Sequence, residues 1–275
     1  MMSEMPDVTE ILTVAIDAAR AAGRFLRETW TSRTFAVTHQ EHHDVKLVAD
    51  AESERLIGEF VRARRPDDGV LGEEGGVQEY SAGGMWVVDP LDGTVNFSHG
   101  HPHFCVSIAW AWQREVMAGV IYDPVREELF SAVRGRGAQC NGTPIAVAGT
   151  QELRAAIVTV GFGKHQPERK AQREFAALSA QAQKVRVSGS AGLDLAYVAC
   201  GRLDAYFESQ IYVWDIAAGG LIVAEAGGTA LLWRGQERFQ RGCVAGAPRI
   251  AAALAELFEL DVNGCARTCF DEHGG

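Results

Sequence analysis

The chain has 275 residues, of which 47% are hydrophobic, and this is enough to bury one large core or two smaller fused cores. Its formal net charge of −10 repels phosphate backbones and anionic membrane surfaces, so neither nucleic acid nor a membrane is an expected partner. The amino end has no basic start before an apolar run, and no apolar segment approaches the roughly 20 residues that span a bilayer, which predicts a cytoplasmic protein.

Two amphipathic helices are predicted near the amino end. The first runs from Asp7 to Trp30, where apolar side chains recur at helical spacing and Asp7 can cap the helix. The second is predicted to start at Asp50 and to end before Pro66. Short β-rich runs separated by turn signals then predict a largely antiparallel sheet, with strands at Met85–Val88, Phe104–Trp112, Glu115–Tyr122 and Glu128–Val133.

After about Thr150 the pattern alternates between strand and helix. The predicted strands are Ala156–Val160, Val185–Val187, Leu203–Phe207 and Thr229–Trp233. Helices are predicted after Pro167, over Ala191–Cys200, from Asp215 to the stop signal Gly227-Gly228, and over Pro248–Phe258. We therefore expect an α+β half over residues 1–150, which holds most candidate metal ligands, and an α/β half over residues 151–275. No Pro/Ser-rich linker separates them, so we expect one packed unit.

The segment 89–94, with the sequence DPLDGT, follows an apolar strand. Pro90 cannot donate to a β-ladder and is expected to end that strand, so Asp89 and Asp92 can turn toward one point together with the Leu91 carbonyl. Mg²⁺ prefers oxygen ligands of this kind. Asp-Pro and Asp-Gly pairs also mark ordinary turns, so the segment by itself is consistent with either interpretation.

The longer string at residues 86–97, WVVDPLDGTVNF, resembles the signature of the inositol monophosphatase family of metal-dependent phosphatases. Further stretches match the family in the same order: the acidic loop from Asp44 to Asp50, the pair Glu73-Glu74, and Trp214-Asp215 before a small-residue helix. The resemblance spans most of the chain. It implies a homodimer of the α+β or α/β class with a layered αβαβα sandwich, as in inositol monophosphatase and fructose-1,6-bisphosphatase.

The resemblance also implies a set of site residues. One Mg²⁺ would be bound by Glu73, Asp89 and the Leu91 carbonyl, and a second by Asp89, Asp92 and Asp215. A third, weaker ion would lie near Glu73 and be reached through water from Asp50. Thr94 with Asp50 or Glu73 would orient the attacking water. The residues that would bind the substrate are Asp92, Gly93, Thr94, Gly189, Ser190, Ala191, Glu208 and Asp215.

Each of these residues also has a structural interpretation. Asp50 and Asp215 could be helix caps, Glu73 a solvated loop acid, and the segment 189–191 an ordinary loop and cap. The order of the motifs along the chain favours the site. A zinc site at His99, His101 and His103 is a weaker alternative, since no further His or Cys ligand is well placed. The cluster of His39, His42 and His43 is expected to be solvated and mobile.

Two departures from the family pattern affect the third ion most. The family's first acidic loop reads Asp-hydrophobic-Val-Thr before its second acid, whereas residues 44–50 here read DVKLVAD, without the threonine. The lysine that is common a few residues upstream is absent, with His39 nearby. Both departures bear on the predicted third Mg²⁺ more than on the first two ions.

The leading functional hypothesis is Mg²⁺-dependent hydrolysis of a small phosphate monoester, inositol 1-phosphate above all, by a metal-activated water and with inhibition by Li⁺. Fructose 1,6-bisphosphate, 3′-phosphoadenosine phosphate and histidinol phosphate are alternative substrates within the superfamily. A hypothesis of another class is a regulatory protein that keeps the metal site but acts by contacting a partner.

Overall fold

The computed structural model describes residues 5–41, 44–78, 84–163 and 167–261. In the first part of these ranges, helices precede and accompany a β-hairpin and an eight-stranded sheet. The helices are α1 (Val8–Ser32), α2 (Val48–Arg64) and α3 (Thr94–His99); the hairpin is β1 (Val37–Glu41) and β2 (Asp44–Leu47); the sheet contains β3 (Gly69–Gly72), β4 (Gly76–Gln78), β5 (Met85–Asp92), β6 (Cys105–Trp112), β7 (Glu115–Asp123), β8 (Glu128–Val133), β9 (Ala138–Cys140) and β10 (Thr143–Pro144).

The predicted first helix is confirmed. Ile11, Ala15, Ala18 and Ala22 are buried in α1, and the Asp7 carboxylate accepts the Thr9 N–H at 2.8 Å, which caps the helix. The buried stripe packs α1 against α2 and the eight-stranded sheet. Neither α1 nor another helix in the described ranges is both long enough and apolar enough to cross a membrane.

The eight-stranded sheet has the order β10-β9-β8-β7-β6-β5-β3-β4. Neighbouring strands are antiparallel except β3 and β5, which run parallel. The predicted end of β5 at Pro90 is wrong, because the strand continues to Asp92. Its pairing with β6 shifts register between Asp89 and Asp92, and this bulge accommodates a proline that cannot donate to the ladder.

The second part of the chain builds a five-stranded sheet and four further helices within the described ranges. Its elements are β11 (Ile157–Val160), α4 (Glu168–Gln181), β12 (Lys184–Arg186), α5 (Ala191–Ala199), β13 (Ala205–Tyr212), α6 (Val213–Glu225), β14 (Thr229–Arg234), β15 (Gln240–Gly246) and α7 (Pro248–Leu257). The strand order is β12-β11-β13-β15-β14. The pairs β12·β11 and β11·β13 are parallel, and β13·β15 and β15·β14 are antiparallel.

Two strands of this sheet differ from the prediction. The strand β15 was not predicted, although every residue in it is buried between β13 and β14. Its sequence, QRGCVAG, contains a single β-branched residue and two glycines, so packing and not local propensity determines it. The predicted end of β13 at Phe207 is also wrong, because the strand runs on to Tyr212 and places Glu208 in its interior.

The elements stack in five layers. α1 and α2 cover one face of the eight-stranded sheet, α5 and α6 contact both sheets and lie between them, and α4 and α7 contact the five-stranded sheet. Three clusters of buried apolar side chains fill the interfaces between these layers. The predicted layered αβαβα architecture is confirmed.

Candidate active site

A cavity of about 270 Å³ is lined by both sheets and by the loops and helix ends around them. It contains the residues that follow β3, the carboxyl end of β5, the first turns of α3, α5 and α6, and the middle of β13. Its acidic side chains are Glu73, Asp89, Asp92, Asp194, Glu208 and Asp215. Among the described residues that line it, none is basic, so the cavity concentrates negative charge.

Three of these acids converge. Glu73, Asp89 and Asp215 each offer one carboxylate oxygen, and these oxygens lie within 4.8 Å of one another. Backbone contacts fix all three residues: the Glu73 N–H donates to the Val88 carbonyl at 3.3 Å, the Asp89 carboxylate accepts the Leu91 N–H at 3.0 Å, and the Asp215 carboxylate accepts a backbone N–H from the residue before α6 at 3.0 Å. The acids of three distant segments thus meet at one point.

This cluster fits a hard divalent cation. Burial raises the pKa of the Asp89 carboxyl well above its usual range, and the neighbouring carboxylates of Glu73, Asp215 and Asp92 raise it further. Asp89 is buried and Glu73 and Asp215 are partly buried, and like charges this close repel one another by kcal/mol unless a proton or a cation neutralises them. Carboxylate oxygens are the ligands that Mg²⁺ prefers, so these residues can hold it.

Asp92 lines the same cavity, but its carboxylate binds the amino terminus of α5. It accepts the Ser190 hydroxyl at 2.6 Å, the Gly192 N–H at 2.6 Å and the Ala191 N–H at 3.2 Å. Burial raises the pKa of Asp92, while the bonds from Ser190 and Gly192 lower it. The helix terminus predicted to bind the substrate therefore already binds an anionic group, as expected of free N–H groups in a first turn. The roles of Asp92 and of residues 189–191 in binding metal and substrate stay predictions.

Thr94 and Asp50, one of the two pairs that the resemblance assigns to orienting the water, are in contact, and that role stays a prediction. The Thr94 Oγ1 lies 3.2 Å from Asp50 Oδ1 and 3.0 Å from the Leu91 carbonyl oxygen. Asp50 Oδ2 accepts the Leu47 N–H at 2.5 Å, so Asp50 also caps α2. Burial raises the pKa of Asp50 to about 7, and the carboxylates of Glu74 and Glu73 add to this shift.

Gly93 is the N-cap residue directly before α3 and has a left-handed conformation, with φ of 93°. A Cβ at this position would lie 2.9 Å from the His103 carbonyl oxygen, so both the backbone conformation and the available space require glycine. Asn96 holds this arrangement in place, because its side-chain amide donates to the carbonyls of His103 and Ser188 at 2.8 and 2.9 Å. The Gly93–Thr94 backbone is therefore fixed at the edge of the cavity.

Glu208 lies on the β13 side of the cavity. The Tyr206 hydroxyl donates a short hydrogen bond to its carboxylate. The backbone of Gly161 lies so close that a Cβ there would collide with the Glu208 carboxylate. Burial raises the pKa of Glu208 well above its usual range, and the carboxylates of Asp215, Asp92 and Asp194 raise it further. The group is thus rigidly held, which suits a substrate contact.

The histidines do not join the acidic cluster. No histidine of the described ranges belongs to a group of potential metal ligands. His103 is buried, with Nε2 at 3.7 Å from the Asp194 carboxylate, and the His99 ring nitrogen lies 3.0 Å from the Val95 carbonyl oxygen. His39 is exposed in β1, whereas His42 and His43 lie outside the described residues.

The departures around Asp50 have structural counterparts. Leu47 stands where the family has threonine; its side chain is buried, and its N–H binds Asp50. Lys46 forms an ion pair with Glu74 at 2.9 Å and so links β2 to the turn that contains Glu73. The altered loop is therefore joined by Lys46 to the turn that carries Glu73.

Two residues of α2 near the site were not predicted. The buried Ser53 hydroxyl donates to the Pro90 carbonyl at 2.8 Å, and Glu54 accepts the N–H groups of Glu74 and Gly75. Positions 50, 53 and 54 are spaced i, i+3 and i+4, which places them on one face of a helix. This spacing could have indicated Ser53 and Glu54 as residues near the site, because they lie one helical turn after Asp50 on the same face.

Comparison with known proteins gives a consistent result. The model of the inositol monophosphatase family matches residues 7–261. A relative from Xylella fastidiosa named Nus factor SuhB is 42% identical over 257 residues, which cover 90% of this chain and 93% of the relative. An inositol-1-monophosphatase from Synechocystis is 40% identical over 225 residues, which cover 81% and 78% of the two chains.

The fold is also similar to solved structures. The crystal structure of the extragenic suppressor protein suhB from Bartonella henselae superposes with a TM-score of 0.85 and 34% sequence identity. The match covers 92% of this chain and 100% of that one. The similarity therefore includes both sheets and the helices between them.

Proposed function

Because the chain belongs to the inositol monophosphatase family, we propose that it hydrolyses a small phosphate monoester in a Mg²⁺-dependent reaction, with inositol 1-phosphate as the first candidate substrate. The observation that supports this most is the convergence of the Glu73, Asp89 and Asp215 carboxylates in a cavity that also contains Thr94. Contact with a partner would not by itself require Thr94 in this cavity, so the retained threonine favours hydrolysis.

The residues of the chain would have distinct roles. Glu73, Asp89 and Asp215 would hold Mg²⁺, which supplies a water of lowered pKa and stabilises the charge on the leaving oxygen. The Thr94 hydroxyl would donate a hydrogen bond to Asp50 and accept one from the attacking water, which would fix the direction of attack. Asp50, whose pKa burial raises to about 7, is suited to accept a proton near neutral pH.

The substrate would lie between two sets of groups. Its phosphate would face the Gly93–Thr94 backbone amides, and one of its hydroxyls would reach Glu208, which the Tyr206 hydroxyl orients. A buried acceptor of this kind discriminates strongly against a substrate that lacks the hydroxyl, because the carboxylate is then left unpaired. This favours a polyol phosphate over a simple alkyl phosphate.

A phosphate-release assay tests the proposal. The panel would contain inositol 1-phosphate, histidinol phosphate, 3′-phosphoadenosine 5′-phosphate and fructose 1,6-bisphosphate, each with Mg²⁺ and with a chelator. We expect Mg²⁺-dependent turnover of inositol 1-phosphate and its loss in Asp89→Asn. Absence of turnover on every monoester with Mg²⁺ present would contradict the enzymatic proposal, and a higher kcat/KM on another substrate would reassign it.

Two further properties follow from the same family membership. We propose that the protein is a homodimer and that Li⁺ inhibits its phosphatase activity. Light scattering on the purified protein tests the first property. Full activity in millimolar Li⁺ would contradict the second and would indicate a metal site that differs from the family's.

A second candidate function is regulation through a protein partner. The Xylella fastidiosa relative, which is 42% identical to the chain, is named Nus factor SuhB, and this name supports a role other than hydrolysis. If such a role exists here, Asp89→Asn should retain the partner in a pull-down while hydrolysis is lost. Loss of both would indicate that one site serves the two functions.

A further inference from the structure

The turn that contains Glu73 is held by an acidic side chain from α2. Glu54 accepts the backbone N–H of Glu74 at 3.0 Å through one carboxylate oxygen and that of Gly75 at 2.8 Å through the other. These two amides directly follow Glu73, one of the three converging acids. Hydrogen bonds from N–H groups to a carboxylate are stronger than those to a neutral acceptor, so the contact restrains the turn.

We propose that Glu54 is a positioning residue that fixes the orientation of Glu73 and thereby sets the affinity of the site for its divalent cation. The inference rests on the proposed metal-dependent function only in taking Glu73 as a ligand. Groups behind a metal ligand typically change metal affinity about 10- to 100-fold when they are removed.

The fit of the turn around Glu54 is close. A Cβ at Gly72 would meet the Glu54 carboxylate, with its carbon at 2.6 Å, so only glycine allows the approach. Gly76 closes the turn with φ of 63°, a conformation that glycine adopts without strain. Both glycines thus serve a turn that is wrapped around one carboxylate.

Glu54 does not act as a metal ligand in this arrangement. Both of its oxygens accept N–H groups, and it is not part of the cluster formed by Glu73, Asp89 and Asp215. Burial raises the pKa of Glu54, while the N–H groups of Glu74 and Gly75 oppose the shift because they stabilise the charged form. The Glu54 carboxylate therefore interacts with the backbone N–H groups of the turn and not with a cation.

A second contact holds the turn from the other side. The Glu74 carboxylate, which follows Glu73 in sequence, is bound by Lys46 of β2 at 2.9 Å. The backbone of the turn is thus tied to α2 and the Glu74 side chain to β2, while Glu73 reaches the cavity between them. If the Glu54 contact is removed, the Lys46–Glu74 ion pair remains. We therefore expect the turn to become more mobile but to stay in place.

The test compares Glu54→Ala and Glu54→Gln with Glu59→Ala, a matched control on the same helix whose exposed carboxylate pairs with Arg55. Calorimetry would measure Mg²⁺ binding to each protein without substrate, and circular dichroism would verify folding. We expect Glu54→Ala to bind Mg²⁺ about 10-fold or more weakly, and Glu59→Ala to match the wild type. Glu54→Gln should be intermediate, because its amide accepts one N–H but opposes the other with a donor.

Kinetics would separate positioning from catalysis. The Mg²⁺ concentration for half-maximal activity should rise in Glu54→Ala, while kcat at saturating Mg²⁺ stays within about threefold of the wild-type value. Unchanged Mg²⁺ affinity in Glu54→Gln and Glu54→Ala would overturn the proposal, and if Glu54→Ala does not fold, Glu54→Gln decides. Because calorimetry needs no substrate, a protein that binds Mg²⁺ without hydrolysing monoesters would contradict the proposed function and leave this inference standing.

Discussion

The hydroxyl of Thr94 lies 3.2 Å from the Asp50 carboxylate, and this contact joins the first turn of α3 to the first turn of α2. The two residues are 44 positions apart in the chain. The same hydroxyl lies 3.0 Å from the Leu91 carbonyl oxygen, and since it has a single proton, it can donate to only one of these acceptors at a time. In the proposed reaction, donation to Asp50 leaves a lone pair for water.

We predict that Thr94→Ala lowers kcat by about 100-fold or more, the usual range for loss of a positioned proton-transfer group. Mg²⁺ affinity should stay close to the wild-type value, because Glu73, Asp89 and Asp215 keep their backbone contacts. Thr94→Ser is the control, since it keeps the hydroxyl and should retain most activity. Steady-state kinetics at saturating Mg²⁺ would decide, and near-normal turnover of Thr94→Ala would remove the hydroxyl from the mechanism.

Asp50 should make the stability of the metal-free protein depend on pH. Its folded-state pKa of about 7 lies above the ordinary value of 3.8, so the folded protein keeps a proton that the unfolded chain has already released between these values. Stability from this group is therefore fully present below about pH 4 and is lost as pH rises through about 7. Above pH 7 the loss is complete and stays constant.

The variant Asp50→Asn cannot titrate at this position, so it should lack that part of the pH dependence. We predict that its free energy of unfolding, relative to the wild type, rises by a few kcal/mol between about pH 4 and pH 8 in the presence of a chelator. Urea unfolding at several pH values measures the difference. A difference that does not vary with pH would show that Asp50 is not protonated in the folded state.

The candidate ligands could be predicted because their motifs follow one another in a recognisable order. For Asp50 and Asp215 the sequence left two interpretations, a helix cap or a site residue, and the structure shows that these are compatible. Each carboxylate accepts a backbone N–H from the residue before its helix; in addition, the Asp50 carboxylate contacts the Thr94 hydroxyl, and the Asp215 carboxylate belongs to the acidic cluster. The cap restrains the carboxylate and leaves it able to contact other groups, so capping does not argue against the predicted roles of Asp50 and Asp215, which stay predictions.

Other features could not be predicted from local patterns. The strand β15 has weak β-propensity and is formed because β13 and β14 pair with both of its edges. Helical spacing places Glu54 on the same face of α2 as Asp50, but it does not identify the turn after Glu73 as its partner, because that turn is distant in sequence. Pro90 was expected to end β5, and only the register of β6 shows that a bulge absorbs it.

Compared with Asp89→Asn, the wild-type protein should be less stable to unfolding without metal and more stable with it. Burial and neighbouring carboxylates raise the pKa of Asp89. At pH 8 the free energy of unfolding of the metal-free wild type is therefore lowered, either because Asp89 stays ionised in an unfavourable environment or because it must take up a proton on folding. Asp89→Asn is neutral and keeps an oxygen that can accept the Leu91 N–H. We predict that its Tm in a chelator exceeds that of the wild type by at least about 3 °C, the effect of roughly 1 kcal/mol.

Addition of Mg²⁺ should reverse the order of these two proteins. The ion binds the folded wild type and raises its Tm by mass action, whereas Asp89→Asn has lost the central ligand and should gain little. Thermal unfolding of both proteins across a Mg²⁺ titration would measure this. Equal Mg²⁺ stabilisation of the two proteins would place the cation elsewhere than at the cluster of Glu73, Asp89 and Asp215.

Gly161 should influence substrate affinity through Glu208. A Cβ at Gly161 would collide with the Glu208 carboxylate. This carboxylate cannot move freely, because it is buried and accepts a hydrogen bond from the Tyr206 hydroxyl. We predict that Gly161→Ala raises the KM for inositol 1-phosphate about 10-fold or more, the value of one hydrogen bond to a charged group. The KM for p-nitrophenyl phosphate, which has no hydroxyl to offer Glu208, should change little.

The control for this substitution is Gly149→Ala, since a Cβ at Gly149 would meet no atom within 4 Å. That variant should match the wild type with both substrates, so a general effect of replacing glycine is separated from displacement of Glu208. An equal rise in KM for both substrates in Gly161→Ala would indicate a distorted cavity. An unchanged KM for inositol 1-phosphate would show that Glu208 does not contact the substrate, and the polyol preference would then have to come from another part of the cavity.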